Sequence, residues 1–494
     1  MLIQGDFFMK RIVTAAVMFA LFFAAIIARC FFVATDKSAY VNDSYNSYRV
    51  DIGTLYSNIY DRKGVRLNNN GRETVAVIEP NEKCMRELEI LFSADEQAEI
   101  LRELQKGYPI TKTVRRTVKT KYIKQYERII ENTEDMPARH ILDRACGGLE
   151  AHSSQEIGSL SVSFGINARG ELLRGNNATV NDNNYDSADG IIVSLDSDIQ
   201  KIAEQSASTI KKGAIVILDC ETSQVLASVS RGEEYINRAT ANYAVGSVFK
   251  LVSAVCATEN GINPTYECKG KIKVGDTVFH CQHNKSHGRQ QIKTALANSC
   301  NCYFINLANI LGAEKLLETA KSLGFSESFE LYDNWTVSGG SMPTEADLKS
   351  AGELALFSFG QGKLNDSALH FASFISCIAN GGIYSYPTLE IGNDKGSRVM
   401  SEGTAETLRE YMKYVVTDGT GKNADYKSDC GGKTATAQSG IFEDGREILI
   451  TYFAGFYPYD NPEYAIVVMC EDGTSGALDC CPVFRTIVEK LDEM

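Results

Sequence analysis

The stretch that decides the fold is Gly246-Ser247-Val248-Phe249-Lys250, which opens an apolar run that continues to Val255. Such a run predicts a buried helix whose first turn carries Ser247. The i, i+3 spacing then puts Ser247 and Lys250 on one helical face, with Cβ atoms about 5–6 Å apart, so the amine can reach the hydroxyl. A serine needs a base near neutral pH, and a lysine serves only where burial or a second cation lowers its pKa. Taken alone, the tetrad is more typical of an ordinary helix surface, because serine and lysine are common helix residues.

Two further polar stretches could complete a site around Ser247. Ser299-Cys300-Asn301 interrupts an apolar, helix-like run, which is also typical of a helix cap or an inter-helix turn. Gly431-Gly432-Lys433-Thr434-Ala435-Thr436 has the alternation of a strand that presents a cation and a hydroxyl beside a cleft, or of a solvated strand edge. In a cleft, Lys433 would hold a substrate carboxylate and lower the pKa of Lys250, and a following backbone N–H would stabilise an oxyanion.

Strand-like runs lie at both ends of the segment that follows residue 190. The first pair is Ala214 to Leu218 and Gln224 to Val229. The last pair is Ile448 to Phe456 and Tyr464 to Met469, ahead of an amphipathic helix from about Val483. Helical patterns occupy the interval. This order predicts an α+β fold in which the terminal strands pair in one antiparallel sheet flanked by helices.

The N-terminal region predicts a membrane anchor. Residues 12–34 are predominantly apolar, and their length suits a bilayer-spanning helix. A cleaved signal peptide and a buried core helix are the alternatives. Ala28-Arg29-Cys30 lacks the small residue that lipoprotein processing needs before the cysteine.

Flanking charges predict the orientation of this anchor. Lys10 and Arg11 precede it, and Asp36 and Asp43 follow it. The positive-inside rule therefore puts the N-terminus in the cytoplasm and the rest of the chain outside. The predicted division of the chain is a cytoplasmic tail at 1–11, a transmembrane anchor at 12–34, a polar extracytoplasmic domain at 35–190 and a catalytic domain at 191–494.

Length and charge exclude some classes of function. The chain has 494 residues, which predicts two or three domains, and its net charge is −13. Binding to nucleic acid or to an anionic lipid face is therefore not expected.

Together and in order, the three polar stretches resemble the S-x-x-K, S-x-N and K-T-G motifs of penicillin-binding proteins and β-lactamases. The resemblance is to class B penicillin-binding proteins, the monofunctional peptidoglycan D,D-transpeptidases, and it covers about residues 190 to 494. Ile59-Tyr60-Asp61-Arg62-Lys63-Gly64 also resembles the first motif of their N-terminal pedestal. Further similar segments are the hairpin Ile217 to Ala227, Asn237-Arg238-Ala239-Thr240, Phe359-Gly360-Gln361-Gly362, Ile378 to Gly382, and Ala454 to Pro458.

The resemblance implies a serine β-lactamase/transpeptidase-like fold, preceded by a mainly β pedestal at 35–190. It implies that a Ser247 acyl-enzyme forms from a D-Ala-D-Ala stem peptide and then cross-links two stems, without any cofactor in acyl transfer. The implied roles are Ser247 as nucleophile, Lys250 as base, Ser299 as proton relay, Asn301 as holder of the substrate amide, Lys433 and Thr434 as carboxylate ligands, and the N–H groups of Ser247 and Thr436 as oxyanion hole.

The implied ligands are stem peptides and β-lactams. A polytopic, SEDS-type glycan polymerase is the implied partner protein, because the chain before residue 190 is too short for a glycosyltransferase domain. One departure from the family is Ala435, where the motif nearly always has glycine. An added Cβ there is expected to narrow the approach of a ligand and to reduce or alter β-lactam affinity.

A second site is predicted among the cysteines. Cys268, Cys281, His287 and Cys300 make a soft ligand set suited to tetrahedral zinc. Their spacing is similar to zinc-ligand positions in some elongation-type class B enzymes, and a metal on Cys300 would rigidify the second polar stretch. A Cys268–Cys281 disulfide and a polar loop with unrelated thiols remain as alternatives.

Other functions fit the same residues. A D,D-carboxypeptidase differs only in the fate of the acyl group, and a serine β-lactamase needs a positioned carboxylate that the sequence does not reveal. A protein of another class, a catalytically weak scaffold that regulates a glycan polymerase, would also fit a chain with an altered third motif.

Overall fold

In a computed structural model, the protein is described over residues 3–35, 47–130, 136–153, 155–167, 169–173, 178–232, 235–392 and 396–494. Asp36 and Asp43, which contributed to the predicted orientation, lie outside these residues. So do residues 1–2 of the predicted cytoplasmic tail.

Helices occur along the whole of the described chain. In order they are α1 (Ile3–Thr35), α2 (Glu82–Met85), α3 (Leu88–Leu91), α4 (Ala94–Leu104), α5 (Arg139–Leu142), α6 (Leu149–Ser153), α7 (Ser197–Ser206), α8 (Lys250–Glu259), α9 (Ile292–Ala297), α10 (Asn301–Leu311), α11 (Ala313–Ser322), α12 (Ala351–Ser358), α13 (Ala368–Ala379), α14 (Glu402–Thr417), α15 (Gly476–Asp479) and α16 (Cys481–Asp492).

The strands alternate with them. In order they are β1 (Ser47–Tyr56), β2 (Asn58–Tyr60), β3 (Gly71–Ile78), β4 (Ile110–Val114), β5 (Lys124–Ile130), β6 (Glu156–Gly165), β7 (Thr179–Asn183), β8 (Gly190–Ile192), β9 (Gly213–Asp219), β10 (Val225–Arg231), β11 (Asn242–Ala244), β12 (Tyr266–Cys268), β13 (Lys271–Val274), β14 (Thr277–His280), β15 (Gly288–Gln290), β16 (Phe329–Tyr332), β17 (Trp335–Val337), β18 (Asn365–Ser367), β19 (Ile383–Tyr384), β20 (Ser397–Arg398), β21 (Gly431–Glu443), β22 (Arg446–Tyr457) and β23 (Tyr464–Glu471).

The chain forms two compact units. The first comprises Met1–Thr54, Arg72–Ile129 and Gly158–Asp186. Its strands form one sheet of order β4-β3-β5, and β1, β6 and β7 make a second three-stranded sheet. The short helices α2, α3 and α4 cover the first sheet, and their apolar side chains form a core with those of the strands.

Helix α1 belongs to the first unit. Its stretch Ile12–Phe31 is long and apolar enough to cross a membrane. The side chains described in this stretch are exposed. An exposed apolar helix of this length costs free energy in water, which favours a bilayer around it over the alternative of a buried core helix.

The second unit comprises Leu55–Gly71, Ile130–Ile157 and Ser187–Met494. It is built on a five-stranded sheet of order β10-β9-β23-β22-β21, in which every neighbouring pair is antiparallel. The strands from the two ends of the segment therefore share one sheet, and the predicted α+β fold is confirmed.

Alternation along the strands separates two cores. On β9, Val216 faces a large core that includes residues of α8, α13 and α14. Ile217, one residue later, faces a smaller core formed with α7 and α16. Because successive side chains of a strand point to opposite faces, helices on both sides bury the inner strands β9 and β23 almost completely. This burial explains why the sequences of β9 and β23 are continuously apolar and do not alternate with polar residues.

Two segments before residue 190 also belong to this unit. Ile59 and Leu67 of the first segment and Ile141 of the second lie in the large core. The buried Asp61 carboxylate accepts hydrogen bonds from the backbone N–H and the hydroxyl of Ser197, at 3.1 and 2.6 Å. The boundary predicted at residue 190 stays a prediction, but the first pedestal motif packs with the C-terminal part of the chain.

Candidate active site

Ser247 lies in a 3-10 turn, Gly246–Phe249, that leads directly into α8. Gly246 has φ 64° and donates its N–H to the carbonyl of Gly360 at 2.8 Å. Gly360 has φ 86°, and a Cβ on it would lie only 1.9 Å from the Gly246 oxygen. Two glycines thus allow the close backbone contact that fixes the serine turn. Val248 and Phe249 are fully buried beneath it.

The second polar stretch is both an inter-helix turn and part of the site. α9 ends at Ala297 and α10 begins at Asn301, so that the turn between them contains Ser299. Ser299 has φ 49°, in the left-handed region that non-glycine residues rarely adopt. The Asn301 amide donates to the carbonyl of His280 at 2.9 Å. The turn therefore directs Ser299 and Asn301 toward α8.

Lys250 connects the first two motifs. Its Nζ lies 2.9 Å from Ser247 Oγ, 3.0 Å from Ser299 Oγ, 2.8 Å from the Ser299 carbonyl oxygen and 2.7 Å from Asn301 Oδ1. The predicted reach of Lys250 to the Ser247 hydroxyl is therefore present. These contacts also hold the amine between the two serine hydroxyls, where it can exchange a proton with either.

Lys433 enters the same network from β21, the edge strand of the sheet. Its Nζ donates to Ser299 Oγ at 3.2 Å and to the Thr434 carbonyl at 2.8 Å. Thr434 and the half-buried Thr436 lie on the other face of the strand. The serine turn packs against this strand, since a Cβ on Gly246 would lie 2.9 Å from the Ala437 Cβ.

Thr420 is a site residue that the sequence did not reveal. Its hydroxyl forms a 2.6 Å hydrogen bond with the Thr434 hydroxyl. Its backbone N–H donates to the Ala297 carbonyl at the end of α9. Thr420 thereby links the third motif to the helix before the second. The only signal in the sequence is a threonine between two glycines after a helical pattern.

Burial lowers the pKa of both lysines. It lowers the pKa of Lys250 to about 8, although nearby cysteines oppose the shift. The pKa of Lys433 lies well below its usual value, first because of burial and then because of the positive charge of Lys250. Among the described residues, no carboxylate lies within ion-pair distance of either amine. Part of the Lys250 amine is therefore neutral near pH 8 and available as a base. An anion that enters the site meets no competing carboxylate of the described residues.

Ala435, the departure in the third motif, is buried. It is 2% exposed and shares a face of β21 with the buried Lys433 and Ala437. Its Cβ therefore points into the domain rather than along the face of Thr434 and Thr436. The expected effect of this Cβ on the approach of a ligand stays a prediction, because the Lys433 side chain, which contacts Ser299, lies on the same face.

The four predicted metal ligands lie together. One ligand atom from each of Cys268, Cys281, His287 and Cys300 lies within 4.8 Å of the others. The Cys281 sulfur is 3.7 Å from those of Cys268 and Cys300, and the His287 Nδ1 is 3.6 Å from the Cys268 sulfur. A tetrahedral zinc ion with Zn–S bonds of about 2.3 Å separates its ligand sulfurs by about 3.8 Å, so the spacing fits.

The alternative Cys268–Cys281 disulfide is not formed, since both are free thiols and bonded sulfurs lie about 2 Å apart. A fourth sulfur, that of Cys302, lies 3.4 Å from the Cys281 sulfur and was not predicted. Hydrogen bonds with Cys300 and Cys302 lower the pKa of Cys281. The same contacts raise the pKa of Cys300 and Cys302.

A sequence profile described as the penicillin-binding protein transpeptidase domain matches residues 213–489, more than half of the chain. The chain belongs to the penicillin-binding protein transpeptidase family. The resemblance found from the three motifs is thereby confirmed. The matched segment includes Ser247, Lys250, Ser299, Asn301 and Lys433.

Two relatives with similar sequences are named as a sporulation protein and a penicillin-binding protein. The chain is 29% identical to stage V sporulation protein D of Bacillus subtilis over 252 residues, which are 47% of this chain and 38% of that protein. It is 29% identical to penicillin-binding protein PbpB of Mycolicibacterium smegmatis over 368 residues, 63% of this chain and 55% of that protein. The chain thus spans about half the length, or less, of these curated relatives.

A solved structure extends the likeness to the whole fold. A chain from a peptidoglycan synthase complex, studied for the coordination of polymerization and crosslinking, has a TM-score of 0.64 and 22% identity. The match covers 97% of each chain. This likeness concerns the fold, and it covers residues before and after the predicted boundary at residue 190.

Proposed function

We propose that the protein is a peptidoglycan D,D-transpeptidase that cross-links stem peptides through an acyl-enzyme on Ser247. The observation that carries this proposal is the convergence of Ser247, Lys250, Ser299, Asn301 and Lys433 within one hydrogen-bonded network. Both lysines are buried and unpaired with any described carboxylate, an arrangement with no structural benefit. It is chemically useful for a substrate that brings its own carboxylate.

Acylation begins at Ser247. Neutral Lys250 accepts the hydroxyl proton as Ser247 Oγ attacks the carbonyl carbon of the D-Ala-D-Ala bond. Lys433 and Thr434 bind the terminal carboxylate, and the backbone N–H groups of Ser247 and Thr436 stabilise the oxyanion. Asn301 holds the substrate amide.

Collapse of the tetrahedral intermediate breaks the peptide bond. The proton passes from Lys250 through Ser299 to the leaving nitrogen, so that D-Ala departs as an amine and an ester remains on Ser247. The amine of a second stem then attacks this ester and transfers one proton to Lys250, which passes it to Ser247 Oγ as the ester C–O bond breaks. The products are an amide cross-link and the free serine. No cofactor takes part in these steps.

Labelling with a fluorescent penicillin tests this proposal. A β-lactam opens on the nucleophile and leaves a stable acyl-enzyme, so we expect a labelled band that Ser247→Ala abolishes. Ser253→Ala is the matched control, because Ser253 lies in α8, directly after the serine turn, and donates its hydroxyl to the Ser358 carbonyl instead. A missing Ser247-dependent adduct would favour the scaffold. Nitrocefin turnover would favour a β-lactamase, and release of D-Ala without cross-linking a carboxypeptidase.

We further propose that α1 anchors the protein in the cell membrane by a single pass, with the N-terminus in the cytoplasm and the catalytic domain outside. The apolar stretch Ile12–Phe31 supports the anchor. A polytopic, SEDS-type glycan polymerase is the proposed partner, since a chain of similar fold occurs in a peptidoglycan synthase complex. Protease digestion of intact protoplasts should remove the catalytic domain, and co-purification with such a polymerase should require α1.

A structural zinc ion at Cys268, Cys281, His287 and Cys300 is the third part of the proposal. The zinc would hold the turn that carries Ser299 and Asn301, without entering the chemistry. Metal analysis of the purified protein should give about one equivalent. Cys281→Ser should lose the metal and lower the melting temperature, whereas Cys146→Ser, at a half-buried free cysteine outside the cluster, should retain the metal. A metal content far below one equivalent in the unchanged protein would contradict this assignment.

A further inference from the structure

The β13–β14 hairpin carries exposed positive charge on one face. Its strands are antiparallel, with Lys271 opposite His280 and Lys273 opposite Val278. Side chains that face each other across a pair, or lie two apart along a strand, share one face of the sheet. All four of these side chains are exposed. The outer face of the hairpin therefore presents two lysines beside a histidine.

The inner face fixes this orientation. Val274 is buried against Ile305 of α10 and Ala355 of α12, and Ile272 and Phe279 pack against the same cluster. A change of register would expose these apolar side chains and bury the lysines. The outward direction of Lys271 and Lys273 is therefore a fixed property of the fold.

The hairpin also borders the active site. The His280 carbonyl accepts the 2.9 Å hydrogen bond from the Asn301 amide, and Asn301 Oδ1 in turn accepts a hydrogen bond from Lys250. Lys271 lies directly across the hairpin from His280. The cationic face thus begins beside the side chain that is proposed to hold the substrate amide.

The charge on this face is unbalanced. Residues 269–285 contain four lysines and one aspartate, in a chain whose net charge is −13. No carboxylate of the described residues lies within ion-pair distance of Lys271 or Lys273. A local cationic surface at the edge of a cleft raises the concentration of anions there.

We propose that Lys271 and Lys273 bind free carboxylates of the stem peptide other than the one at its D-Ala-D-Ala end. The substrate class is then an acidic stem peptide, in preference to one whose side-chain carboxylates are amidated. This inference rests on the proposed function, since it takes the peptide in the cleft to be a peptidoglycan stem.

Fluorescence anisotropy with two synthetic stem pentapeptides tests the inference in the full-length protein. One peptide keeps its side-chain carboxylates, the other has them amidated, and both end in D-Ala-D-Ala. We expect the acidic peptide to bind more tightly. Lys271→Gln/Lys273→Gln should weaken its binding by roughly threefold to tenfold and leave the amidated peptide unchanged. The preference should also shrink as salt is raised.

Lys201→Gln/Lys321→Gln is the matched control, because both lysines are exposed and lie outside the hairpin. Equal affinity of the unchanged protein for the two peptides would overturn the inference, as would equal weakening of both by the hairpin variant. A hairpin variant that lost only the binding of a poly(glycerol phosphate) probe would overturn it too. Penicillin labelling of Ser247 in the same samples reports separately on the proposed function.

Discussion

Gly360→Ala is expected to disable acylation more than it destabilises the fold. The new Cβ would lie 1.9 Å from the Gly246 carbonyl oxygen, so the two backbones must separate. This movement breaks the 2.8 Å hydrogen bond from the Gly246 N–H to the Gly360 carbonyl. Because Gly246 precedes the nucleophile, the displacement passes directly to Ser247.

The magnitude follows from these contacts. A positive φ costs a residue with a Cβ about 1–2 kcal/mol, and the lost hydrogen bond costs about 1 kcal/mol. The free energy of unfolding should therefore fall by about 2–3 kcal/mol. A misplacement of about 1 Å at a reacting atom costs roughly 100-fold in rate, so acylation should slow by at least that factor.

Gly362→Ala is the control for backbone strain. Gly362 has φ 80°, close to that of Gly360, but the nearest atom to its added Cβ is the Leu356 Cβ at 3.3 Å. It should lose about 1–2 kcal/mol of stability and acylate almost normally. The assay is the second-order rate constant for fluorescent penicillin, with urea unfolding of the same samples. A Gly360→Ala rate within threefold of that of Gly362→Ala would refute the reasoning.

Three further predictions concern single groups of the site. Only the neutral amine of Lys250 can accept the Ser247 proton, and burial lowers the pKa of Lys250 to about 8. The acylation rate should therefore rise about tenfold from pH 7 to pH 9 and then level off. A rate that falls over this interval would contradict the role of Lys250 as base. Thr420→Val removes the 2.6 Å contact to the Thr434 hydroxyl and should raise KM for a D-Ala-D-Ala peptide about fivefold, with Thr420→Ser restoring it. Ala435→Gly removes a buried methyl group, so the free energy of unfolding measured with denaturant should fall by about 1 kcal/mol. A penicillin acylation rate that changes by much more than about twofold would show that the Ala435 side chain does reach the cleft.

The sheet and the main site residues could be predicted because their signals are local. Runs of β-branched residues mark β9, β22 and β23, and the terminal positions of these runs imply one shared sheet. Each of the three motifs supplies a distinct chemical group of the site, and the order of the motifs along the chain limits the number of families that the sequence can resemble. The convergence of Lys250 and Lys433 on Ser299 Oγ then follows from the fold that the family shares.

Contacts between distant segments could not be predicted in the same way. Thr420 has no motif of its own, and its role depends on how the segment after α14 meets β21. The segment Leu55–Gly71 is polar enough to look like part of a separate domain, yet its apolar residues complete the large core. The inward direction of Ala435 depends on the strand register, which the motif alone does not define.

The turn at Ser299 connects the two predicted sites. Ser299 and Asn301 contact Lys250, whereas the Cys300 between them contributes its sulfur to the cysteine cluster. Three consecutive side chains can diverge in this way because Ser299 adopts φ 49°, which costs about 1–2 kcal/mol. A strained turn persists only where contacts with its neighbours hold it in that conformation. Three groups make such contacts here: the Asn301 amide, the Cys300 sulfur and the Lys250 amine. Loss of the Cys300 contact should therefore relax Ser299 and separate it from Lys250, so that Cys300→Ala slows acylation even though Cys300 itself touches no reacting atom.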